Sequence, residues 1–510
     1  MSDNVLLISL DSLRKDVLGA YEDSGTFDYE VSTPTLDAFA ERATVFDSHY
    51  AGSLPCMPAR REWLAGVREF LWRPWGPIES YDTTLAEAAR DAGVLTQLIT
   101  DHFHYFQHGS WGYYEDFNGF DFLRGHEYDA YETKPRDVDR EFHGRIADEE
   151  TDPADGMGFL NRTQYVRNAG DFEGETDFFA PRLFERTADW LDGLDWDRWF
   201  CYLDSFDVHE PFHNSAEYAS MYTDEDPEDP DLPIWPYYGR VDEGQSALSE
   251  RELDFVQAQY AGKVTMVDEW LGRIFDVLDE EGLWEETTVI VTSDHGFLLG
   301  EYGWMAKNDG PVFDVLANTP LFVWDPDGER NGERVDALTT AVDLYPTILE
   351  TLGADVPAPN HGVSLRPLLE AETDDHRDYV CYGYWGASLN VTDGEYTYHL
   401  PGEAGAPVDC YSTHQMNVTG TFHPMVEKPD AEADELPYAA TPVWRLPAES
   451  YLQHEEPLLY ERSGPFGAKE DRAGEGLDAE ERLRVTAAEL LAAYDAPEKQ
   501  FDRLGLERPG

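Results

Sequence analysis

Val5-Leu6-Leu7-Ile8-Ser9-Leu10 is a nearly unbroken apolar run that ends on Asp11-Ser12. Apolar residues on both parities describe a strand covered on both faces, as in the middle of a parallel sheet. Ligands in open α/β sheets gather at the carboxyl ends of the strands. Asp11 therefore stands either at a site of chemistry or at a helix N-cap, where Asp is equally at home. The same pattern recurs three times downstream. Val94–Thr100 runs into Asp101-His102-Phe103-His104, Phe200–Leu203 runs into Asp204 and on to His209-Glu210-Pro211-Phe212, and Val289–Thr292 runs into Ser293-Asp294-His295-Gly296.

Helical stretches separate these strands. Thr33-Pro34 opens one, with Thr33 as cap and Leu36 and Phe39 on its buried face. Thr84 and Glu87 form a capping box for a second, which stops at Gly93. A third covers about Ala180–Leu194. A fourth starts at the Ser249/Glu252 capping box, carries Val264, Val267, Leu271, Ile274 and Leu278 at helical spacing, and stops at Gly282. A fifth spans Asp343–Leu352. Strands alternating with helices predict an α/β sandwich with a large mixed, mainly parallel sheet flanked by helices. Residues 124–177 read as a charged excursion forming a rim or lid, and residues 222–247 as an acidic, Pro-rich loop. After about Asp374 come short aromatic-rich strands at 379–384, 388–391 and 395–399, the last two joined by a hairpin turn at Thr392-Asp393-Gly394. Residues 464–478 read as loop and 479–493 as a last helix. The expected division is a catalytic domain over 1–374 and a C-terminal subdomain over 375–510, with a small antiparallel sheet and a terminal helix.

The 510 residues carry 104 acidic against 37 basic side chains, a formal charge of −67 spread over most of the chain. Such a surface suits molar salt, which screens self-repulsion within ~3 Å, and points to a high-salt cytoplasm. It argues against nucleic-acid binding, which needs basic patches. Met1-Ser2-Asp3-Asn4 leads straight into a strand with no positively charged or apolar leader, and no apolar run reaches the ~18 residues of a membrane span. The chain reads as soluble and cytoplasmic. Cys56, Cys201, Cys381 and Cys410 show no CxxC pairing, so neither a zinc site nor a disulfide framework is indicated.

Leu54-Pro55-Cys56-Met57-Pro58-Ala59-Arg60 precedes a helical run that stops at Gly66. Cys56 falls at or near a helix N-terminus, with Arg60 one turn on, a setting that activates a thiol and attracts an anion. An inert buried cysteine fits the same stretch taken alone. The four strand ends decide in favour of chemistry. In a mainly parallel sheet Asp11, Asp101-His102, His209 and Asp294-His295 share one edge beside Cys56. Carboxylates, histidine and a nucleophile make an oxygen-rich site for a hard divalent cation, and Arg60 and Lys307 add positive charge. Together they suit metal-assisted attack on a tetrahedral oxyanion ester.

These motifs resemble the sulfatase family of the alkaline-phosphatase-like superfamily. Cys56-Met57-Pro58-Ala59-Arg60 matches its C-x-P-x-R signature, which directs oxidation of the cysteine to formylglycine by a maturation enzyme. Asn4–Asp11 resembles the opening strand and metal Asp, and Asp207–Phe212 the strand-end His motif. Ser293–Gly296 with Gly300-Glu301-Tyr302-Gly303 and Lys307 resembles the second metal motif and substrate lysine. Asp343–Thr347 and His361–Leu365 resemble downstream landmarks. The resemblance implies that Asp11, Cys56, Asp294 and His295 hold a divalent cation, calcium first, with magnesium or manganese as alternatives. It implies catalytic roles for Cys56, Arg60, His209 and Lys307. Arg60 would steady the oxygen at position 56, Lys307 would neutralise the oxyanion, and His209 would serve the leaving oxygen. One hydroxyl of the formylglycine hydrate would attack sulfur, and the second would expel the bound sulfate. The substrate is then a small-molecule or carbohydrate sulfate ester.

Three positions depart from the family pattern. Ser12 replaces a frequent second Asp, and Tyr302 a frequent His. Thr100–His104 stands where a Gly-Lys-x-His element is usual, so that His102 and His104 are the candidates for contacting substrate. The same lysine is absent from phosphonate monoester hydrolases, which makes a phosphodiesterase or phosphonate monoester hydrolase the second reading. A non-catalytic metal-binding member with unmodified Cys56 is the third.

Overall fold

The computed structural model describes residues 4–21, 27–106, 111–131, 142, 145–146, 162–414, 432–436, 439, 441–462 and 470–510. Eight strands form the central sheet: β1 (Asn4–Leu10), β2 (Thr44–Phe46), β3 (Leu95–Thr100), β4 (Gly119–Phe122), β5 (Trp199–Ser205), β6 (Thr287–Thr292), β7 (Leu321–Trp324) and β8 (Arg334–Val335). Their order is β8-β2-β7-β6-β1-β5-β3-β4. Only β7 runs against the rest. The sheet is therefore mixed and mainly parallel, and β1 lies inside it, between β5 and β6.

Alternate residues of β1 serve two different cores, which is why the run is apolar on both parities. Leu6, Ile8 and Leu10 pack into the layer built on α4 (Phe179–Leu191) and α5 (Glu250–Glu280), together with α1 (Pro34–Ala40). Val5 and Leu7 pack into the opposite layer, built on α2 (Cys56–Ala65), α3 (Leu85–Asp91) and α6 (Leu344–Thr351). The α5 stripe Val264, Val267, Leu271, Ile274 and Leu278 is buried in the first of these cores. The Ser249/Glu252 capping box opens α5 as expected.

Thr33 does not cap α1 with its side chain. Its hydroxyl donates instead to Asp37 Oδ1 at 3.1 Å. The free N–H groups of Thr35 and Leu36 are taken by the Asp268 carboxylate of α5, at 2.9 and 2.8 Å. A distant carboxylate thus does what the local hydroxyl was expected to do.

Much of the excursion over 124–177 lies outside the described residues, as does the first part of the loop read at 464–478. The described part includes a helix at Thr163–Ala169 that the weak periodicity did not reveal. In the acidic loop, Gly239–Arg240 pairs with Trp304–Ala306. The C-terminal hairpin forms as expected, within a sheet of Val380–Tyr384, Leu389–Thr392, Tyr396–Leu400 and Leu458–Glu461. Its fifth strand is Ser53–Leu54, which pairs parallel with Gly383–Tyr384. The segment leading into Cys56 is thus hydrogen-bonded to the C-terminal sheet. A further three-stranded antiparallel sheet (Pro407–Ser412, Val443–Glu449, Glu432–Asp434) was not anticipated. The last helix is α7 (Asp478–Ala493). No helix among the described residues is long and apolar enough to cross a membrane. All four cysteines are buried.

Candidate active site

The parallel strands β1, β3, β5 and β6 deliver their carboxyl ends to one edge. At the end of β1, Ser12 adopts a left-handed backbone with φ of 62°, a conformation that costs a non-glycine residue roughly 1 kcal/mol. Local hydrogen bonds hold it there. Its N–H donates to Asp294 Oδ1 at 3.1 Å and its hydroxyl to Asp11 Oδ1 at 2.8 Å. The Tyr260 hydroxyl donates to its carbonyl oxygen at 2.9 Å. The residue that replaces a second Asp is thus a brace between two carboxylates.

At the end of β6, His295 Nδ1 donates to the Gly296 carbonyl oxygen at 2.9 Å. That bond leaves Nε2 as the lone-pair nitrogen, and Nε2 lies 3.3 Å from Cys56 Sγ. Gly296 is needed where it stands, because a Cβ there would come within 1.9 Å of the Val315 carbonyl oxygen. Gly296→Ala is expected to push His295 out of place and lower kcat/KM by about 100-fold, the scale of a 1 Å misplacement. Steady-state kinetics beside a melting curve would check this, and an unchanged rate would contradict it.

Cys56 opens α2, which ends at Gly66 with φ of 69°. The helix N-terminus expected from the sequence is present, but the activated thiol is not. Burial, reinforced by Asp11 and Asp294, pushes the Cys56 thiol up against the opposing pull of Lys307 and Arg60. Lys307 Nζ lies 3.4 Å from Sγ and 3.4 Å from Ser12 Oγ. Its backbone is fixed by Tyr384 of the C-terminal sheet, whose hydroxyl donates to the Lys307 carbonyl oxygen at 2.7 Å.

Arg60 does not reach Sγ; its five N–H donors go elsewhere. NH1 donates to the Cys56 carbonyl oxygen at 3.1 Å and to Asp294 Oδ2. Nε and NH2 form a fork with Asp204 at 3.2 and 2.8 Å, and NH2 pairs with Asp11 Oδ2 at 3.0 Å. Arg60 and these three carboxylates are fully buried. Arg60 thus fixes the carboxylates around it, and its charge also opposes the burial that pushes the Cys56 thiol up.

His102 Nε2 lies 3.2 Å from Asp11 Oδ2, and His104 Nε2 lies 2.8 Å from Glu127 Oε2. His209 Nδ1 donates to the Glu210 carbonyl oxygen at 2.7 Å, leaving Nε2 as the acceptor nitrogen. A cavity of about 370 Å³ opens over Cys56, with His104, Glu127, His209, Glu210 and Lys307 in its wall. His102 is not among its lining residues; it backs Asp11. One ligand atom from each of Asp11, Cys56, Asp294 and His295 can be chosen so that all four lie within 4.8 Å of one another.

Three residues of this site escaped the sequence reading. Asp204 carried a signal, since a carboxylate in a buried strand must find a cation. Glu210 stood beside His209 in the strand-end motif, which is a signal, and Glu127 carried none that separates it from the many acids of this chain.

The sulfatase family model matches residues 3–354. The chain belongs to the sulfatase family. It is a sulfuric ester hydrolase, and its fold is alkaline-phosphatase-like. It is 28% identical over 438 residues to the multifunctional alkaline phosphatase superfamily protein PehA of Trinickia caryophylli, covering 75% of this chain and 80% of that one. It is 26% identical over 406 residues to an arylsulfatase of Clostridium perfringens, covering 74% and 81%. Among solved structures, the phosphonate monoester hydrolase of Agrobacterium radiobacter aligns with a TM-score of 0.65 at 22% identity, over 97% of this chain and 95% of that chain. At that identity the likeness concerns the fold.

Proposed function

We propose that this sulfatase cleaves the sulfate ester of a small alcohol or sugar, using a formylglycine made from Cys56 and one divalent cation. The observation that carries the reading is the convergence of Asp11, Cys56, Asp294 and His295 on one point, with Lys307 Nζ 3.4 Å from Sγ. Two carboxylates and an imidazole with its lone pair free suit a cation such as calcium, magnesium or manganese. A thiol suits a hard cation poorly, and oxygen at position 56 suits it well. This fit favours the modified residue. When bound, the cation would supply Lewis acidity toward the ester oxygens.

The chain's own groups do the remaining work. Lys307 places its charge where the oxyanion sits. His102 and Ser12 hold Asp11 from two sides. His209 is kept neutral by burial and by Lys307, so its bare Nε2 is set to accept the hydrogen bond of the released alcohol. Cys56 is 1% exposed, so a maturation enzyme must act before the fold closes over it.

The second reading, a phosphonate monoester or phosphodiester hydrolase, is favoured by the absence of the usual lysine element, whose place is taken by His102 and His104. Parallel assays with 4-nitrophenyl sulfate and 4-nitrophenyl phenylphosphonate test the two. Turnover of the sulfate ester with the higher kcat/KM supports the first reading, and the reverse order supports the second.

We also propose that the charge of −67 suits the protein to a high-salt cytoplasm. Its melting temperature is then expected to rise steadily with potassium chloride up to concentrations on the order of 1 M and beyond. A melting temperature indifferent to salt would contradict that.

A further inference from the structure

We propose that the cavity wall formed by Glu127 and Glu210 is a subsite for an alkylammonium group, so that the preferred ester is one whose alcohol carries a positive charge. This rests on the esterase reading above and names its substrate class.

The two carboxylates are 5% and 1% exposed and line the same cavity as Cys56 and Lys307. Among the described residues, neither forms an ion pair with a lysine or arginine. The partner of Glu127 is His104 Nε2, which burial keeps neutral. Glu210 Oε1 accepts from the Tyr238 hydroxyl, while Oε2 accepts no hydrogen bond from the described residues. The imidazole 3.2 Å from Oε2 spends its Nδ1 proton on the Glu210 carbonyl oxygen. Arg162 also lines the cavity, but its guanidinium donates to the carbonyl oxygens of Ile146, Trp235 and Pro236 and lies over the Trp235 and Tyr237 rings. Lys307 is engaged with Cys56 and Ser12.

A buried carboxylate without an ion-pair partner is costly. Lys307 pulls on both carboxylates and Arg162 on Glu127, but against the larger effect of burial, and two such groups facing one cavity call for a cation that arrives with the ligand. Burial pushes Glu127 up to about 8 and Glu210 up to about 7, the direction expected of carboxylates waiting for such a partner. The rest of this wall includes Trp75, Tyr128, Tyr237 and Tyr238. Carboxylates joined to aromatic rings match the chemistry of an organic ammonium ion. A polyanionic glycan would bring further negative charge against the same wall. The Glu127, His209 and Glu210 donor atoms also lie within 4.8 Å of one another, so a second metal ion is the rival the test must separate.

Calorimetry on the calcium-loaded protein, with tetramethylammonium and with further calcium as separate titrants, reads binding without turnover. Tetramethylammonium is expected to bind, and the Glu127→Gln/Glu210→Gln double variant to bind it at least about tenfold more weakly. The second readout is the ratio of kcat/KM for 2-(trimethylammonio)ethyl sulfate to that for its neutral isostere, 3,3-dimethylbutyl sulfate. In the unaltered protein this ratio is expected to exceed about 30, and in the double variant to fall toward unity. If the double variant does not fold, the unaltered protein's binding and ratio decide alone. Absence of tetramethylammonium binding, a ratio near unity in the unaltered protein, or a second calcium lost on Glu127→Gln would each overturn the proposal. Binding of tetramethylammonium that depends on the two carboxylates, with no hydrolysis of any sulfate ester, would instead strike the esterase reading and leave the cation subsite standing.

Discussion

Cys56→Ser is expected to leave a protein that turns over once and stops. Serine at this position would sit in the same pocket, with Lys307 and the carboxylate cluster unchanged, and its hydroxyl could still be driven onto the ester. What it lacks is a second hydroxyl on the same carbon. The serine ester therefore has no internal group whose deprotonation expels the bound oxyanion, and covalent catalysis loses its release step. A rapid burst equal to the enzyme concentration followed by no steady-state rate is the expected trace, with a loss in kcat of at least about a thousandfold. Intact-protein mass should show the adduct. Ordinary steady-state turnover by the serine variant would remove the reason for invoking formylglycine. Cys56→Ala should show neither burst nor turnover.

Arg60→Met is expected to be the most destabilising single substitution in the site. Removing the guanidinium leaves Asp11, Asp204 and Asp294 buried around an apolar side chain. Breaking a buried ion pair by deleting one partner costs about 3–5 kcal/mol, and here one cation serves three carboxylates. Arg60 and Lys307 hold Asp11 well below the usual carboxylate range. Burial, reinforced by the Asp11 charge, pushes Asp294 up to about 6. The balance already leans on Arg60. Arg60→Lys restores the charge but not the planar fork that meets Asp204 with two N–H bonds, so it should recover only part of the loss. Denaturant midpoints at constant salt, with the m-value checked for constancy, measure both variants. A lysine variant as stable as the unaltered protein would show that only the charge matters, and a methionine variant as stable would show that Arg60 holds nothing.

The doubly covered strand Asn4–Leu10 and the three later strand ends were legible because a central parallel strand writes its burial into adjacent residues. The edge on which Asp11, His102, His209 and Asp294 meet follows from parallel topology alone. The cap of α1 was misread because Asp268 comes from a helix far along the chain, and no local pattern encodes a long-range acceptor. The carboxylate partners of Arg60 were hidden for a similar reason: spacing puts it one turn from Cys56, but its fork meets strands whose register the sequence does not print. Glu127 was invisible against 104 acidic residues, because only the fold tells a buried carboxylate from a solvated one. Glu210 stood next to His209 in the strand-end motif, but its burial was not legible there. The pairing of Ser53–Leu54 with Gly383–Tyr384 is likewise a contact between segments too distant for periodicity to connect. It ties the Cys56 loop to the C-terminal sheet, which also holds Lys307 through Tyr384. We propose on that basis that residues 375–510, though distinct in pattern, act with residues 1–374 as one catalytic unit.

The central claim is that Cys56 is the precursor of the nucleophile. Mass spectrometry of the peptide spanning Leu54–Arg60, from protein made alongside a formylglycine-generating enzyme, tests it most directly. The account predicts that the residue at position 56 has lost its sulfur and carries an aldehyde or its hydrate, in a fraction that tracks the specific activity of the preparation. Full sulfatase activity from a preparation in which Cys56 is wholly an unmodified thiol would contradict it.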